Sequence, residues 1–224
     1  MTTQSLIKPE PEAGSSTADA ILNYIRGAIA DGSLNDGEPI RQDEVARRFN
    51  VSKIPVREAL KRLEAEGFVA FIPNRGVVVR AVSDPEIAQI FETRAILESN
   101  AIGFSVPMMT AESLARASAC CAAFDEAGDV AQWSALNWQF HSSLYLDAQR
   151  PYLVELIRTI NVRLERYLRI QLTLSVGKGI ANEEHHAILD ACRAGDAGLA
   201  SRLTYDHIMG ANKSLHRFLP GARF

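Results

Sequence analysis

The sequence predicts a mainly α chain: a small N-terminal module of three short helices with a β-hairpin, followed by a C-terminal all-α antiparallel helical bundle. Three observations predict it. Residues 17–66 carry three successive helical patterns, the third of them basic. Residues 68–81 switch to β-type runs around Pro73-Asn74-Arg75-Gly76, and everything after Val82 returns to helical spacing.

Taken in order, residues 1–16 are rich in Pro, Glu, Ser and Thr and read as a flexible tail. Ile21, Leu22, Ile25, Ala28 and Ile29 recur at helical spacing from Thr17, and the helix closes at Asp31-Gly32. Asp36-Gly37 marks a turn. A second helix fits Gln42–Phe49, with Val45, Ala46 and Phe49 as its apolar side. Asn50-Val51-Ser52 interrupts it, and Ser52 is a suitable N-cap for a third helix that runs to about Glu66 and stops at Gly67. Phe68–Ile72 and Val77–Ala81 then form a hairpin, so a winged helix-turn-helix module occupies residues 17–82.

The remainder, residues 83–224, reads as one helical domain. Ser83-x-x-Glu86, with Pro85 in the first turn, opens a helix to about Phe104. Thr110 caps the next, which Gly128 closes; Asp129 caps another reaching Ala148, and Pro151 opens a long one to about Leu174. Gly177-Lys178-Gly179 reads as a flexible break. Two further helices, Ile180–Ala194 and Asp196–Phe218, meet at Gly195.

Composition narrows the function classes. A chain of 224 residues with 47% hydrophobic residues buries a real core, which excludes disorder. No apolar run is long enough to span a bilayer and no secretory signal is visible, so the cytoplasm is the expected location, with no membrane partner. Cys120, Cys121 and Cys192 are an odd set and suit reduced, structural thiols. The net charge of −3 speaks against a nucleic-acid partner only until it is mapped. Residues 41–80 hold nine Lys/Arg against five Asp/Glu, so a basic module sits in an acidic chain.

That module has the form of a DNA reader. In the third helix Val56, Ala59, Leu60 and Leu63 make the buried stripe, while Lys53, Arg57 and Lys61 stand one above another on a separate face. A major groove admits such a helix, and its N-terminal residues reach base edges. A solvated charged face would look similar on the wheel. The hairpin tip Asn74-Arg75-Gly76 adds a small cationic wing beside it.

At this point the residues resemble a family. Asp36–Ile40, Val45–Phe49, Val51–Leu60, Arg62-Leu63, Glu66–Phe68 and Asn74–Gly76 look like the winged helix of GntR-type bacterial transcription regulators over about residues 20–82. The resemblance implies that Ser52, Lys53 and Arg57 contact operator phosphates and bases, with Arg75 and Gly76 at the wing tip. Three positions depart from the usual pattern: Lys53 replaces Arg, Ile54 replaces Thr, and Asp36 replaces a turn Pro. A lysine is a point charge rather than a bidentate fork, so the operator is expected to differ from the family's commonest one.

The helical domain carries polar groups on inward faces. Arg94 and Glu98 fall within the apolar stripe Ile87, Ile90, Phe91, Ala101, Ile102. Arg94 therefore either bonds Glu98 at i+4 as a structural ion pair or faces a cavity that receives an anion. Asn137 and His141 share the stripe of Trp133, Phe140 and Leu144. His185 lies with Ile188, Leu189 and Cys192, His207 follows Leu203, and His186 is rotated about 100° into solvent. Each histidine alone is compatible with a satisfied core residue. Together, on three helices, they are compatible with one cation, because neutral imidazole suits Zn, Ni, Fe or Mn.

Asn137-x-x-Phe140-His141-x-x-Leu144-Tyr145, Pro151–Leu153, Glu184-His185-x-x-Ile188-Leu189, Gly195-Asp196 and His207 resemble the FCD ligand-binding domain of the FadR subfamily, over about residues 84–218. That resemblance implies a divalent metal ion (Zn, Ni, Mn or Fe) on Asn137, His141, His185 and His207, with Asn137 standing where Asp is usual. It also implies that Arg94 meets a small carboxylate effector, and that the protein is a homodimeric repressor acting on a double-stranded DNA operator. A sensor of the metal ion itself and a constitutive architectural DNA binder are the other binding readings. An enzyme is not expected: no H-E-x-x-H or nucleophile-elbow motif occurs, and Glu183 and Glu184 are no more than candidate bases.

Overall fold

The computed structural model describes residues 16–173 and 177–217. The expected tail before Ser16 and the expected helix ends at Leu174 and Phe218 lie outside these residues. The chain divides into two compact units after Val82.

The first unit runs α1 (Thr17–Ala30), β1 (Pro39–Ile40), α2 (Gln42–Phe49), α3 (Lys53–Ala65), β2 (Val69–Ile72), β3 (Gly76–Val79). Ser16 caps α1 reciprocally: its hydroxyl accepts the Asp19 N–H while the Asp19 carboxylate accepts the Ser16 N–H. Ile21 and Ile25 of α1 and Val56, Ala59, Leu60 and Leu63 of α3 are wholly buried, and the two helices pack together. Each such aliphatic burial is worth about 1.5–3 kcal/mol, which outweighs the weak intrinsic stability of helices this short. Asn50, in the left-handed region at φ 55°, ends α2, and Ser52 begins α3 by accepting the Ile54 N–H. Three residues therefore make the turn of the helix-turn-helix.

The hairpin is as expected, but the sheet is larger. Pro39 and Ile40 pair antiparallel with Val78 and Val77, giving the strand order β1-β3-β2. Two residues carry no period, so this strand is invisible to alternation. At the tip Ile72 pairs with Gly76, and Asn74 (φ 62°) and Gly76 (φ 78°) take the left-handed conformations that close a three-residue loop.

Arg62 of α3 donates to the Asp19 carboxylate at 2.6 Å, joining α3 to the cap of α1. Arg62 first, then the Ser16 hydroxyl, hold the Asp19 carboxyl at about 2, below its ordinary 3.8. A carboxyl depressed in the folded state stabilises it at higher pH. Its contribution is present above about pH 4 and is lost as pH falls through about 2. Urea midpoints measured across this window should fall less steeply in Asp19→Asn than in the parent chain.

The second unit comprises α4 (Asp84–Ser105), α5 (Ala111–Glu126), α6 (Val130–Tyr145), α7 (Pro151–Thr173), α8 (Gly177–Arg193) and α9 (Ala197–His216). Short 3-10 turns follow α4 and α6 at Val106–Met108 and Leu146–Ala148. Helix α4 lies along α9, α5 packs on α6 and α8, and α6 packs on α7. The bundle core includes Ala101, Ile102, Phe140, Leu144, Tyr145, Ile157, Ile188 and Leu189. Thr110 caps α5 in a reciprocal box with Ser113, and Ser83 caps α4 by accepting the Glu86 N–H.

One segment differs from expectation. Gly177-Lys178-Gly179 is the first turn of α8, not a break. A Cβ on Gly177 would stand 2.3 Å from the Gln171 carbonyl oxygen, so a close backbone approach requires the glycine there. Lys178 then donates to the carbonyls of Asp125 and Ala127 at the end of α5, at 2.9 and 2.8 Å. Its ammonium also lies over the Trp133 and Phe124 rings. A lysine on the terminal carbonyls of one helix anchors the start of another, and this long-range bond overrides the local preference of two glycines.

Candidate functional site

In the first unit Lys53, Arg57 and Lys61 lie exposed on α3, opposite the buried stripe. The Ser52 hydroxyl oxygen accepts the Ile54 N–H, which leaves its O–H free to donate. Arg57 Nε donates to the Gln42 amide oxygen at 3.1 Å, and Lys53 pairs with Asp43 at 2.7 Å, so both cations are steered by the first turn of α2. Arg75 and Gly76 are exposed at the wing tip. Lys53, Arg57, Arg75 and Gly76 line one open concavity, together with Arg41 and Arg47 of the α2 region. Those two arginines were missed from the sequence, because nothing local tells which face of α2 turns toward the wing. Ile54 is 76% exposed beside Lys53, an apolar group presented at the start of α3.

In the second unit three helices bring His141, His185 and His207 together, all buried, with one ligand nitrogen from each within 4.8 Å of the others. Ring centroids are 4.9–5.1 Å apart around the triangle. The hydrogen bonds behind the rings assign their tautomers. Tyr145 donates its O–H to Glu98 at 2.5 Å, so its oxygen accepts from His141 Nδ1 at 3.2 Å. His207 Nδ1 donates to the Glu184 carboxylate at 2.6 Å. His141 therefore turns an Nε2 lone pair toward His207 Nε2, 3.1 Å away.

A lone pair that faces a second ring nitrogen at this distance is met either by a proton on His207 Nε2 or by a cation that both rings share. Two nitrogens bound at about 2.1 Å to one ion at a right angle would lie about 3.0 Å apart. His185 completes the case: it is wholly buried and neither ring nitrogen has a hydrogen-bond partner. Burial first, then the neighbouring histidines, pushes His141 and His185 well below the ordinary imidazole value, so both are neutral and able to ligate. The residues fit a borderline divalent metal ion. Asn137 is buried on α6 one turn before His141.

The two alternatives for Arg94 are now distinguished at the level of contacts. Its Nε donates to Glu98 at 2.5 Å and both side chains are essentially unexposed, so the i+4 ion pair is present. Glu98 in turn accepts from Tyr145, whose own proton burial and Glu98 hold well above the ordinary phenol range. Arg94, Glu98, Tyr145 and His141 thus form one buried chain of polar groups. The Tyr145–Glu98 and Glu184–His207 contacts span 47 and 23 residues and could not be read from spacing, whereas Tyr145 and His141 stand i, i+4 on α6.

His186 is exposed, as its place on the wheel predicts, and its Nε2 lies 2.6 Å from Asp125 Oδ2 on α5. Burial pushes the Cys121 thiol up to about 11 and the Cys192 thiol up to about 12, which keeps both protonated in the absence of a cation. Among the described residues no helix is long and apolar enough to cross a membrane.

Comparisons with known proteins agree with this two-unit arrangement. The model of the gntR family of bacterial regulatory proteins matches residues 17–79, and the FCD domain model matches residues 89–210. The Nta operon transcriptional regulator of Aminobacter aminovorans is 29% identical over 153 residues, covering 66% of this chain and 70% of that protein. The HTH-type transcriptional repressor GlaR of Escherichia coli is 25% identical over 199 residues, covering 83% and 90%. The structure of E. coli McbR/YncC superposes with a TM-score of 0.77 at 23% identity, over 91% of this chain and 98% of that one, which shows the shared fold. These relatives are regulators and not enzymes. With a winged helix-turn-helix followed by a helical FCD domain, the chain belongs to the GntR family of bacterial transcription regulators.

Proposed function

We propose that residues 17–82 read a double-stranded operator and that residues 83–224 bind a divalent ion and a small carboxylate effector, in a homodimer that acts as a repressor. Lys53, Arg57 and Lys61 would enter a major groove, with Ser52 on a phosphate and Arg75 and Gly76 on the adjacent backbone or minor groove. Two such modules related by a twofold axis would address two half-sites. GlaR, a relative over most of its length, is named as a repressor, which supports the sign of regulation.

The observation that carries the second half is the convergence of Nε2 of His141 and His207 beside the unpartnered His185. His141, His185 and His207 would hold the ion, and Asn137 would offer a neutral carbonyl oxygen in place of a carboxylate. When bound, the ion supplies a positive centre for an anionic ligand. Glu184 and the Tyr145–Glu98 pair hold the ligand rings in orientation, and Arg94 places a second positive charge on the chain of polar groups that ends at His141. Arg94 on α4 and the ion-holding His141 on α6 would be the groups that receive the carboxylate. It shifts operator affinity only if it binds the two arrangements of the dimer unequally.

The test is a thermal melt of ion-loaded and EDTA-treated protein with and without small carboxylates. A native-state ligand at about 100 times its Kd adds about 2.7 kcal/mol. For a chain of this size that is a rise of roughly 5–10 °C in Tm. An unchanged Tm after EDTA, with ion content below one equivalent before treatment, would remove the metal from the reading.

A sensor of the ion itself is the second reading, and one observation favours it. Arg94 is already satisfied by Glu98, so an incoming acid meets a guanidinium whose charge is balanced. In that case chelation changes operator affinity with no organic acid present.

A further inference from the structure

Adjacent histidines on α8 look in two directions. His185 joins the buried triad, whereas His186, about 100° on, turns to α5, where Cys121 and Asp125 stand i, i+4 on one face. The Cys121 sulfur lies 3.9 and 4.0 Å from the two ring nitrogens of His186, whose Nε2 is 2.6 Å from Asp125 Oδ2. One ligand atom from each residue falls within 4.8 Å of the other two. Asp125 Oδ1 is buried with no hydrogen-bond partner, an acceptor still waiting for a positive group. From this geometry we infer that Cys121, Asp125 and His186 form a second divalent-cation site, of the zinc class, separate from the three-histidine cluster.

The donor set chooses the ion. A sulfur, an imidazole and a carboxylate suit zinc and its borderline neighbours, whereas magnesium and calcium prefer oxygen ligands alone. Three protein donors leave a fourth tetrahedral position for water. Zinc bonds of about 2.0–2.3 Å place donor atoms roughly 3.3–3.7 Å apart. The imidazole must therefore move about 0.3–0.7 Å toward the sulfur and about 0.7–1.1 Å away from the carboxylate oxygen. It can do so, because the His186 side chain is 52% exposed while Cys121 is fixed in the bundle core.

On binding, the sulfur–metal bond forms as the thiol proton leaves to solvent, with no change of oxidation state. The ion also satisfies Asp125 Oδ1. Nearby cations are already engaged: Arg193 by Asp190 and Ser118, and Lys178 by the carbonyls that end α5. Occupancy ties α5 to α8, the helix that also positions His185.

Cobalt(II) is the probe, because a thiolate ligand gives it a near-ultraviolet charge-transfer band that a histidine cluster without sulfur cannot give. The full chain titrated with Co2+ should show that band, and Zn2+ should bleach it. Cys121→Ser should abolish the band together with one equivalent of bound cobalt. His186→Ala, at a half-exposed position that spares the core, should weaken or remove it. Cys120→Ser and His207→Ala should keep it. If Cys121→Ser does not fold by circular dichroism, His186→Ala decides. Absence of the band in the parent chain, or a band lost in Cys120→Ser or Cys192→Ser and kept in Cys121→Ser, overturns the inference. Failure of the three-histidine cluster to bind leaves the band unchanged, so the two sites stand or fall separately.

Discussion

Arg57→Ala is expected to cost about 1–3 kcal/mol of base discrimination, roughly 5- to 150-fold in operator affinity, while leaving the fold intact. The side chain is exposed and sits on the face of α3 opposite Val56, Leu60 and Leu63, so its removal opens no cavity. Gln42 holds the guanidinium through Nε at 3.1 Å, which leaves the outer fork for a bidentate contact to guanine. An operator selected from a random duplex library, followed by mobility shifts at fixed salt, provides the measurement. Lys53→Ala should differ in kind. A lysine on a phosphate weakens all sequences alike and lowers the salt slope by about one. Equal affinity of Arg57→Ala and the parent chain for the selected operator would remove α3 as the reading helix.

Arg94→Ala should instead unfold the second unit more readily, by about 3–5 kcal/mol, because it strands Glu98 as an unpaired buried charge. For a chain of this length that amounts to a fall of roughly 6–20 °C in Tm. Removing both charges in Arg94→Met/Glu98→Gln should recover most of the loss, since neutral groups of similar volume carry no such penalty. The double variant is therefore the one in which effector response can be tested apart from folding. An Arg94→Ala chain as stable as the parent would show that the Arg94–Glu98 pair does not hold the second unit together.

Much of the fold was legible because helix signals are local. Ser52, Ser83 and Thr110 cap the helices they precede and the inward positions of α1 and α3 are buried, as their spacing requires, while Ser16, read as part of the tail, caps α1. The miss at Gly177–Gly179 has a physical cause of another kind. Two glycines disfavour a helix locally, but Lys178 binds carbonyls more than fifty residues earlier in the chain. Strand β1 escaped for the opposite reason: two residues are too few to show a period, and only pairing with Val77 and Val78 makes them a strand.

The candidate site divides along the same line. Spacing put His141, His185 and His207 on inward faces and Lys53, Arg57 and Lys61 on an outward one, and the structure has them there. Spacing could not distinguish a core histidine from a ligand. The 3.1 Å approach of two rings 66 residues apart is the observation that favours a ligand, and it is set by helix packing alone. The same wheel put His186 on an exposed face, where it is, but a wheel carries no knowledge of Asp125 and Cys121 on the helix opposite.

By itself, then, the sequence determined the order of elements, their caps, the face each turns inward, and the concentration of positive charge in residues 41–80 of a chain with net charge −3. All of these depend on neighbours within a turn or two, where the covalent chain fixes the geometry. Tertiary structure alone decided that Arg94 is paired with Glu98, that three histidines converge, and that Cys121, Asp125 and His186 meet across two helices. Such meetings are set by how whole helices pack, and a period of 3.6 residues gives a direction for each side chain but no distance to its partner.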